Sequence, residues 1–174
     1  MSDQKVMPDE TLYGPVMLEA TVKEEWIDFN GHMNMAYYIL LFDQALTNFL
    51  DEHDLGLDYV REEDKSMFAL ENHVTYQHEL SQGTPVRVHF QLLDMDSKFI
   101  HYFMRIFHAH ENLLSATMEQ ISLHVDVRTR RPARFPEAKI ARLRKVLEQH
   151  SNLPRPRELG RTIGIRRPGK PVIA

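Results

Sequence analysis

Residues 26–50 read WIDFNGHMNMAYYILLFDQALTNFL, and the fold turns on how this stretch is read. Its first third is polar and turn-forming; the remainder is apolar with helical spacing. Met35, Tyr38, Ile39, Phe42, Leu46, Phe49 and Leu50 recur three and four residues apart, which lays them along one face of an α-helix. Asn34 stands where an N-cap belongs, and Gly56, just after Leu55, suits a C-terminal stop. The spacing predicts one helix over about residues 35–53, and a helix that long needs a large surface for its apolar face.

The flanking sequence supplies that surface. Upstream, PVMLEATVKEEWI (15–27) alternates apolar and polar residues and reads as a strand. Downstream, YVREEDKS (59–66) reads as an exposed connection. Four strand-like runs follow: MFALENHVTYQHEL before SQGTP, VRVHFQLLDM before DSK, FIHYFMRIFHA before HEN, and LLSATMEQISLHVDV. Long strands on short turns indicate an antiparallel meander. RTRRPARFP comes next, then a short amphipathic helix from about Glu137 to His150. The class is α+β, with the long helix buried against an antiparallel sheet.

The chain has 174 residues, 43% of them hydrophobic, enough for one ordinary core. Residues 15–150 are expected to form that domain, with 1–14 as an N-terminal extension and 151–174 as a basic, Pro/Arg-rich tail. No apolar run is long enough to span a bilayer, and MSDQKVMPDE lacks the apolar centre of an export signal, so a cytoplasmic location is expected. The absence of cysteine excludes disulfides, thiolate metal sites and a cysteine nucleophile. A net charge of -4 gives no general electrostatic case for a nucleic-acid partner. Basic character is confined to RTRRPAR (128–134) and RPRELGRTIGIRRPGK (155–170).

The polar cluster before the helix carries the chemistry. The first backbone N–H groups of a helix lack intrahelical partners, with the positive end of the dipole behind them. A carbonyl placed there receives oxyanion stabilisation, and Gly31 lets it approach the backbone. Asp28, a few residues earlier, can act as nucleophile or general base on the carbonyl carbon. His101, His108 and His110 lack the cysteine or acidic company of a metal site in the sequence, and no metal is expected.

With these residues in place, DFNGHMNMAY resembles the hotdog-fold thioesterases, in the branch related to 4-hydroxybenzoyl-CoA and acyl-ACP thioesterases. The family shows Asp-x-x-Gly-His-x-Asn followed by a helical Tyr, here Asp28, Gly31, His32, Asn34 and Tyr37. TYQHELSQGTPVRV is similar to the family's strand ending in an acid before a turn, which singles out Glu79 as a second acid. The resemblance covers about residues 15–150. It implies a hotdog fold, an antiparallel sheet wrapped around one long central helix plus a short C-terminal helix. It also implies edge-to-edge pairing of protomers into a homodimer or homotetramer, with active sites at the interface. The implied activity is hydrolysis of an acyl-CoA thioester with no cofactor, CoA being part of the substrate. Asn30 and His32 resemble the Asn-x-His pair of the acyl-ACP branch, orienting water or the carbonyl oxygen. Gly31, Met33, Asn34, Trp26 and Tyr37 fall on the substrate and oxyanion side.

EEWIDFNGHMN is further similar to betainyl-CoA thioesterases, free-standing or fused to carnitine dehydrogenases, which release small trimethylammonium acids. Trp26, Tyr37, Tyr38, Phe68 and Tyr76 could line a pocket for an aryl group or cage a quaternary ammonium. Arg128, Arg130 and Arg131, and more weakly Arg166 and Arg167, are candidates for CoA phosphates. An acyl-ACP or aryl-CoA thioesterase, a hotdog dehydratase and a non-catalytic acyl-CoA-binding protein are the alternatives.

Overall fold

The computed structural model describes residues 12–165; most of the N-terminal extension, and Arg166 and Arg167, lie outside them. In chain order the elements are β1 (Val16–Thr21), α1 (Met35–Glu52), α2 (Leu57–Glu63), β2 (Lys65–Tyr76), β3 (Pro85–Met95), β4 (Phe99–His108), β5 (Leu114–Asp126), β6 (Arg131–Pro132) and α3 (Glu137–His150). The sheet is antiparallel in the order β1-β3-β4-β5-β2, and β6 adds to β5.

The long helix forms for the reasons its sequence gives. Asn34 caps it, the side-chain Oδ1 accepting the Ala36 N–H at 3.0 Å. Its buried stripe is Tyr38, Leu41, Phe42, Ala45, Leu46 and Phe49. Leu41 and Ala45 thus join the face drawn from spacing, while Met35 leaves it at 64% exposure. Phe49 stacks on Phe90 of β3 at 3.9 Å between ring centroids, and Phe90 stacks on Tyr102 of β4 at 5.1 Å. Val86, Val88, Phe90 and Leu92 of β3, with Ile100, Tyr102, Met104 and Ile106 of β4, alternate inward to complete this core. Each large side chain fully buried here stabilises by roughly 1.5–3 kcal/mol.

Four local expectations are corrected. The first strand stops at Thr21, and Glu24–Trp26 form a 3-10 turn, closed by Trp26 N–H to Lys23 O at 3.1 Å. Three consecutive charged residues (Lys23, Glu24, Glu25) leave that segment nothing apolar to alternate with. Gly56 does not end α1, which finishes at Glu52; it starts α2, and Asp51 Oδ1 accepts the Leu57 N–H at 3.3 Å. Residues 57–63 are therefore helix and not an open connection. Finally, only β3, β4 and β5 form a meander. β2 pairs with β5 and sits on the sheet edge, because residues 77–84 cross from one side of the sheet to the other.

The outer face of the sheet is not bare. Residues 151–165 run back over it: Gln91 Nε2 donates to Pro154 O at 3.4 Å, and Gly160 N–H donates to Glu119 Oε2 at 2.6 Å. Beneath them Arg105 is only 4% exposed, with its guanidinium on the rings of Tyr13 and Phe103 and hydrogen-bonded to Gln91. Burial pulls its pKa down to about 10.

Candidate active site

The polar cluster folds into a small closed loop. Ile27 and Met33 bridge, with Asp28 N–H donating to His32 O at 3.0 Å and Asn34 N–H to Trp26 O at 2.9 Å. Asp28 also accepts at its own carbonyl from Gly31 N–H, and its Oδ1 accepts the Asn30 N–H at 2.8 Å. Asp28 thus orders the turn with one carboxylate oxygen. Gly31 completes it at a φ of 83°, in the left-handed region that glycine enters freely, and the space over its Cα is open.

The loop is fastened to a distant piece of chain. Met33, 1% exposed, donates its N–H to Leu80 O at 2.7 Å, and Leu80 is equally buried. Between the helix entry and the crossing segment lies a cavity of about 240 Å³, lined by His32, Met33, Met35, Tyr38, Tyr76, Gln77, His78 and Glu79. The drug-sized ligand pockets of proteins run roughly 300–1,000 Å³. This one is smaller than that range.

At its mouth the helix start is mostly satisfied. Asn34 takes the Ala36 N–H with its side chain and the Tyr37 N–H with its carbonyl. The Met35 N–H has no partner among the described residues, as expected at the first turn of a helix. Tyr38 has its pKa raised, chiefly by burial, against a lowering contact from the Leu80 backbone, with the Glu79 and Tyr76 charges raising it further. The phenol therefore stays neutral at physiological pH. Its ring meets Tyr76 edge to face at 5.3 Å and 82°. His32 Nδ1 lies 3.4 Å from Met33 O, and His78 Nδ1 bonds Leu114 O at 2.8 Å.

Of the residues singled out in the sequence, His32, Met33, Tyr38, Tyr76 and Glu79 meet in this cavity. Asp28, Asn30 and Gly31 stand on the loop beside it and do not line it. Asn34 is the helix cap. Trp26 is a core residue at 6% exposure, stacked on Tyr37 at 5.4 Å with Lys23 Nζ 5.4 Å from its ring centroid. Phe68 carries Arg130 over its ring at 5.0 Å and does not reach the cavity. Arg128, Arg130 and Arg131 are exposed at the opposite end of β2, where Lys65 pairs with Asp126 and Arg128 lies 3.5 Å from Asp64. Met35, Gln77 and His78 line the cavity without having been singled out for it; nothing local marks them. Among the described residues no group of three or more His, Asp or Glu is placed to hold a metal, and no helix is long and apolar enough to cross a membrane.

A larger cavity, about 490 Å³, lies on the outer face around His101, Glu119 and Arg161. His101 Nε2 is already paired with Glu119 Oε1 there at 2.9 Å. The helix start and its dipole are on the other side of the sheet, so the smaller cavity is the candidate for chemistry at a carbonyl.

Residues 22–145 match the family model of the thioesterase-like superfamily. The chain belongs to that superfamily, and with this fold it is a hotdog acyl-CoA thioester hydrolase. Over 149 residues it is 37% identical to the betainyl-CoA thioesterase of Pseudomonas aeruginosa, covering 84% of this chain and 92% of that protein. It is 33% identical to an L-carnitine dehydrogenase/betainyl-CoA thioesterase of a Rhizobium species, covering 87% of this chain but only 30% of that longer protein. Among solved structures, a protein of Staphylococcus aureus in complex with CoA superposes with a TM-score of 0.82 at 29% identity, over 88% of this chain and 97% of that one. A candidate thioesterase of Pseudomonas putida KT2440 gives a TM-score of 0.77 at 33% identity, over 88% and 98%.

Proposed function

We propose that the protein hydrolyses betainyl-CoA to betaine and free CoA, with the reaction centred on the cavity at the start of α1. The observation that carries this reading is the cavity itself: about 240 Å³, walled by two tyrosines, and opening on the unpaired Met35 N–H. The 37% identity to a protein named for that activity supports it.

The thioester carbonyl enters with its oxygen toward the Met35 N–H and the positive end of α1. Asp28, whose second carboxylate oxygen has no partner among the described residues, takes a proton from water as the water oxygen bonds to the carbonyl carbon. The tetrahedral oxyanion collapses, the C–S bond breaks, and CoA leaves as thiolate to be protonated from the site. His32 and Asn30 hold the water and the carbonyl in line. Direct attack by Asp28 on the carbonyl is the alternative course for the same residues.

The CoA end calls for a second copy of the chain. Among the described residues β2 is a 12-residue strand paired on one side only, with Leu70 55% and Tyr76 46% exposed. An edge of that length is rarely left open. The arginine turn at 128–131 stands beside Lys65, at the far end of β2 from Tyr76. That is roughly 36 Å away at about 3.3 Å per residue, too far to serve the same protomer's cavity directly. Antiparallel pairing of β2 with its copy brings the neighbour's arginine turn to the Tyr76 end, where Arg128, Arg130 and Arg131 meet the CoA phosphates. The homodimer is thus the working unit, acting in the cytoplasm where acyl-CoA is found.

A thiol-release assay across betainyl-, aryl- and long-chain acyl-CoA esters and an acyl carrier protein thioester tests the reading. Highest kcat/KM on betainyl-CoA is expected. Preference for an aryl or long-chain ester refutes it, and release from none of them points to a binding protein.

A further inference from the structure

We propose that Tyr38, Tyr76 and Glu79 form a subsite for a quaternary ammonium, so that Glu79 selects the acyl group by charge and is not a second acid of the reaction. The proposal rests on the betainyl-CoA reading and names the residues that would enforce it.

In the betainyl group the cation is one methylene from the carbonyl carbon. Whatever cavity receives the carbonyl must therefore receive the ammonium as well. A trimethylammonium has no proton to donate and cannot be neutralised. It is recognised by aromatic faces, by nearby negative charge and by close packing around its methyl groups.

The structure narrows which aromatic rings can do this. Aromatic faces in this protein already hold cations: Lys23 over Trp26, Arg130 over Phe68 and Lys139 over Tyr59. Trp26 is further stacked on Tyr37. Those rings are occupied by the protein's own charges or stacking partners. Tyr38 and Tyr76 are different. They stand almost perpendicular, at 82°, with centroids 5.3 Å apart, and both face the cavity. Two rings at right angles make a corner rather than a slot, which suits a tetrahedral trimethylammonium better than a flat aryl group.

The charge comes from Glu79. Its carboxylate lines the same cavity and acts electrostatically on the Tyr38 hydroxyl. Among the described residues no lysine or arginine lines the cavity, so none of them competes there for Glu79 or repels an incoming cation. The rest of the wall is His32, Gln77, His78, Met33 and Met35, and the two thioethers are soft and polarisable against methyl groups. Glu79 itself is exposed on the crossing segment, which argues against a role needing a desolvated, proton-holding carboxyl.

The test compares betainyl-CoA with its uncharged carbon isostere, 3,3-dimethylbutanoyl-CoA, which has the same shape without the charge. Values of kcat/KM are measured for the wild type, Glu79→Gln, Tyr76→Phe and Tyr76→Leu. The wild type is expected to prefer betainyl-CoA. Glu79→Gln and Tyr76→Leu each erode that preference about five- to ten-fold, the weight of one partly desolvated charge or cation–π contact, while Tyr76→Phe keeps it. Equal losses on both esters in Glu79→Gln overturn the proposal and return Glu79 to the reaction chemistry. A wild type that cleaves both esters equally also overturns it, leaving the substrate reading intact. A wild type that cleaves other acyl-CoA esters but not betainyl-CoA refutes the substrate reading and the subsite with it.

Discussion

Asp28 has two jobs in the reading above, and a pair of substitutions separates them. One carboxylate oxygen accepts the Asn30 N–H at 2.8 Å and so fixes the turn; the other has no partner among the described residues. Asp28→Asn keeps an acceptor oxygen at the turn and removes the base and nucleophile. Asp28→Ala removes both. A positioned general base is worth about 10²–10⁴-fold in rate, which is about 2.7–5.4 kcal/mol of transition-state stabilisation. The turn hydrogen bond is worth about 1 kcal/mol of stability, or a shift of roughly 2–4 °C in Tm for a chain of this size. Asp28→Asn is therefore expected to lose at least a hundred-fold in kcat on betainyl-CoA with its Tm unchanged, and Asp28→Ala to lose the same rate and a few degrees besides. Thiol release and thermal melting read the two effects independently. An Asp28→Asn enzyme with wild-type kcat, beside an Asp28→Ala enzyme altered only in Tm, would show that Asp28 merely shapes the loop.

Other outcomes follow from single contacts. Asn34→Ala removes the cap on Ala36 N–H and is expected to cost about 1 kcal/mol, measured by chemical denaturation. Gly56→Ala would put a Cβ 1.6 Å from Asp51 Oδ1 and 3.1 Å from Asp51 Cα. A destabilisation of about 1–3 kcal/mol is expected from the forced shift, and a neutral melt would show that α2 adjusts without strain. His150 gives a pH dependence. Its Nδ1 accepts the Leu92 N–H at 2.9 Å, which only the neutral ring can do there, and burial first, then the charge of His53, lowers its pKa from 6.5. The unfolded chain then binds a proton at this position before the folded one does. The associated stability is complete above the unfolded value and is lost as pH falls below about 6.5. Melting from pH 8 to pH 5 should show a steeper decline in the wild type than in His150→Gln, and parallel curves would discount the group.

Much of the fold could be read because its signals are local. The cap at Asn34, the apolar stripe from Tyr38 to Phe49 and the bounds of α3 all lie within a few residues of the structure they specify. α2 was hidden because Asp58, Arg61, Glu62 and Glu63 make Leu57–Glu63 look like solvated loop, and seven residues are too few to show a period. The edge position of β2 was hidden because pairing is not local: the turn chemistry of SQGTP is the same whether the chain folds back on β2 or crosses the sheet.

The site divides along the same line. The loop from Asp28 to Asn34 is contiguous and stood out. Its opposite wall lies more than forty residues away, and only Glu79, by resemblance, and Tyr76, as an aromatic, were marked there. Trp26 and Phe68 were reasonable choices for a pocket lining, but their faces are taken by Lys23, Tyr37 and Arg130. Whether an aromatic ring faces a cavity or a neighbouring cation is decided by tertiary packing, which one sequence does not display.

The Met33–Leu80 hydrogen bond ties the two walls of the cavity together deep inside the protein. They cannot part there like a jaw to admit a bulkier guest. Adjustment is left to the rim, to the half-exposed Tyr76 ring and the exposed Met35 side chain. If the proposed site is right, acyl length is gauged by a fixed floor, and any broadening of the enzyme's diet by mutation has to begin at the entrance.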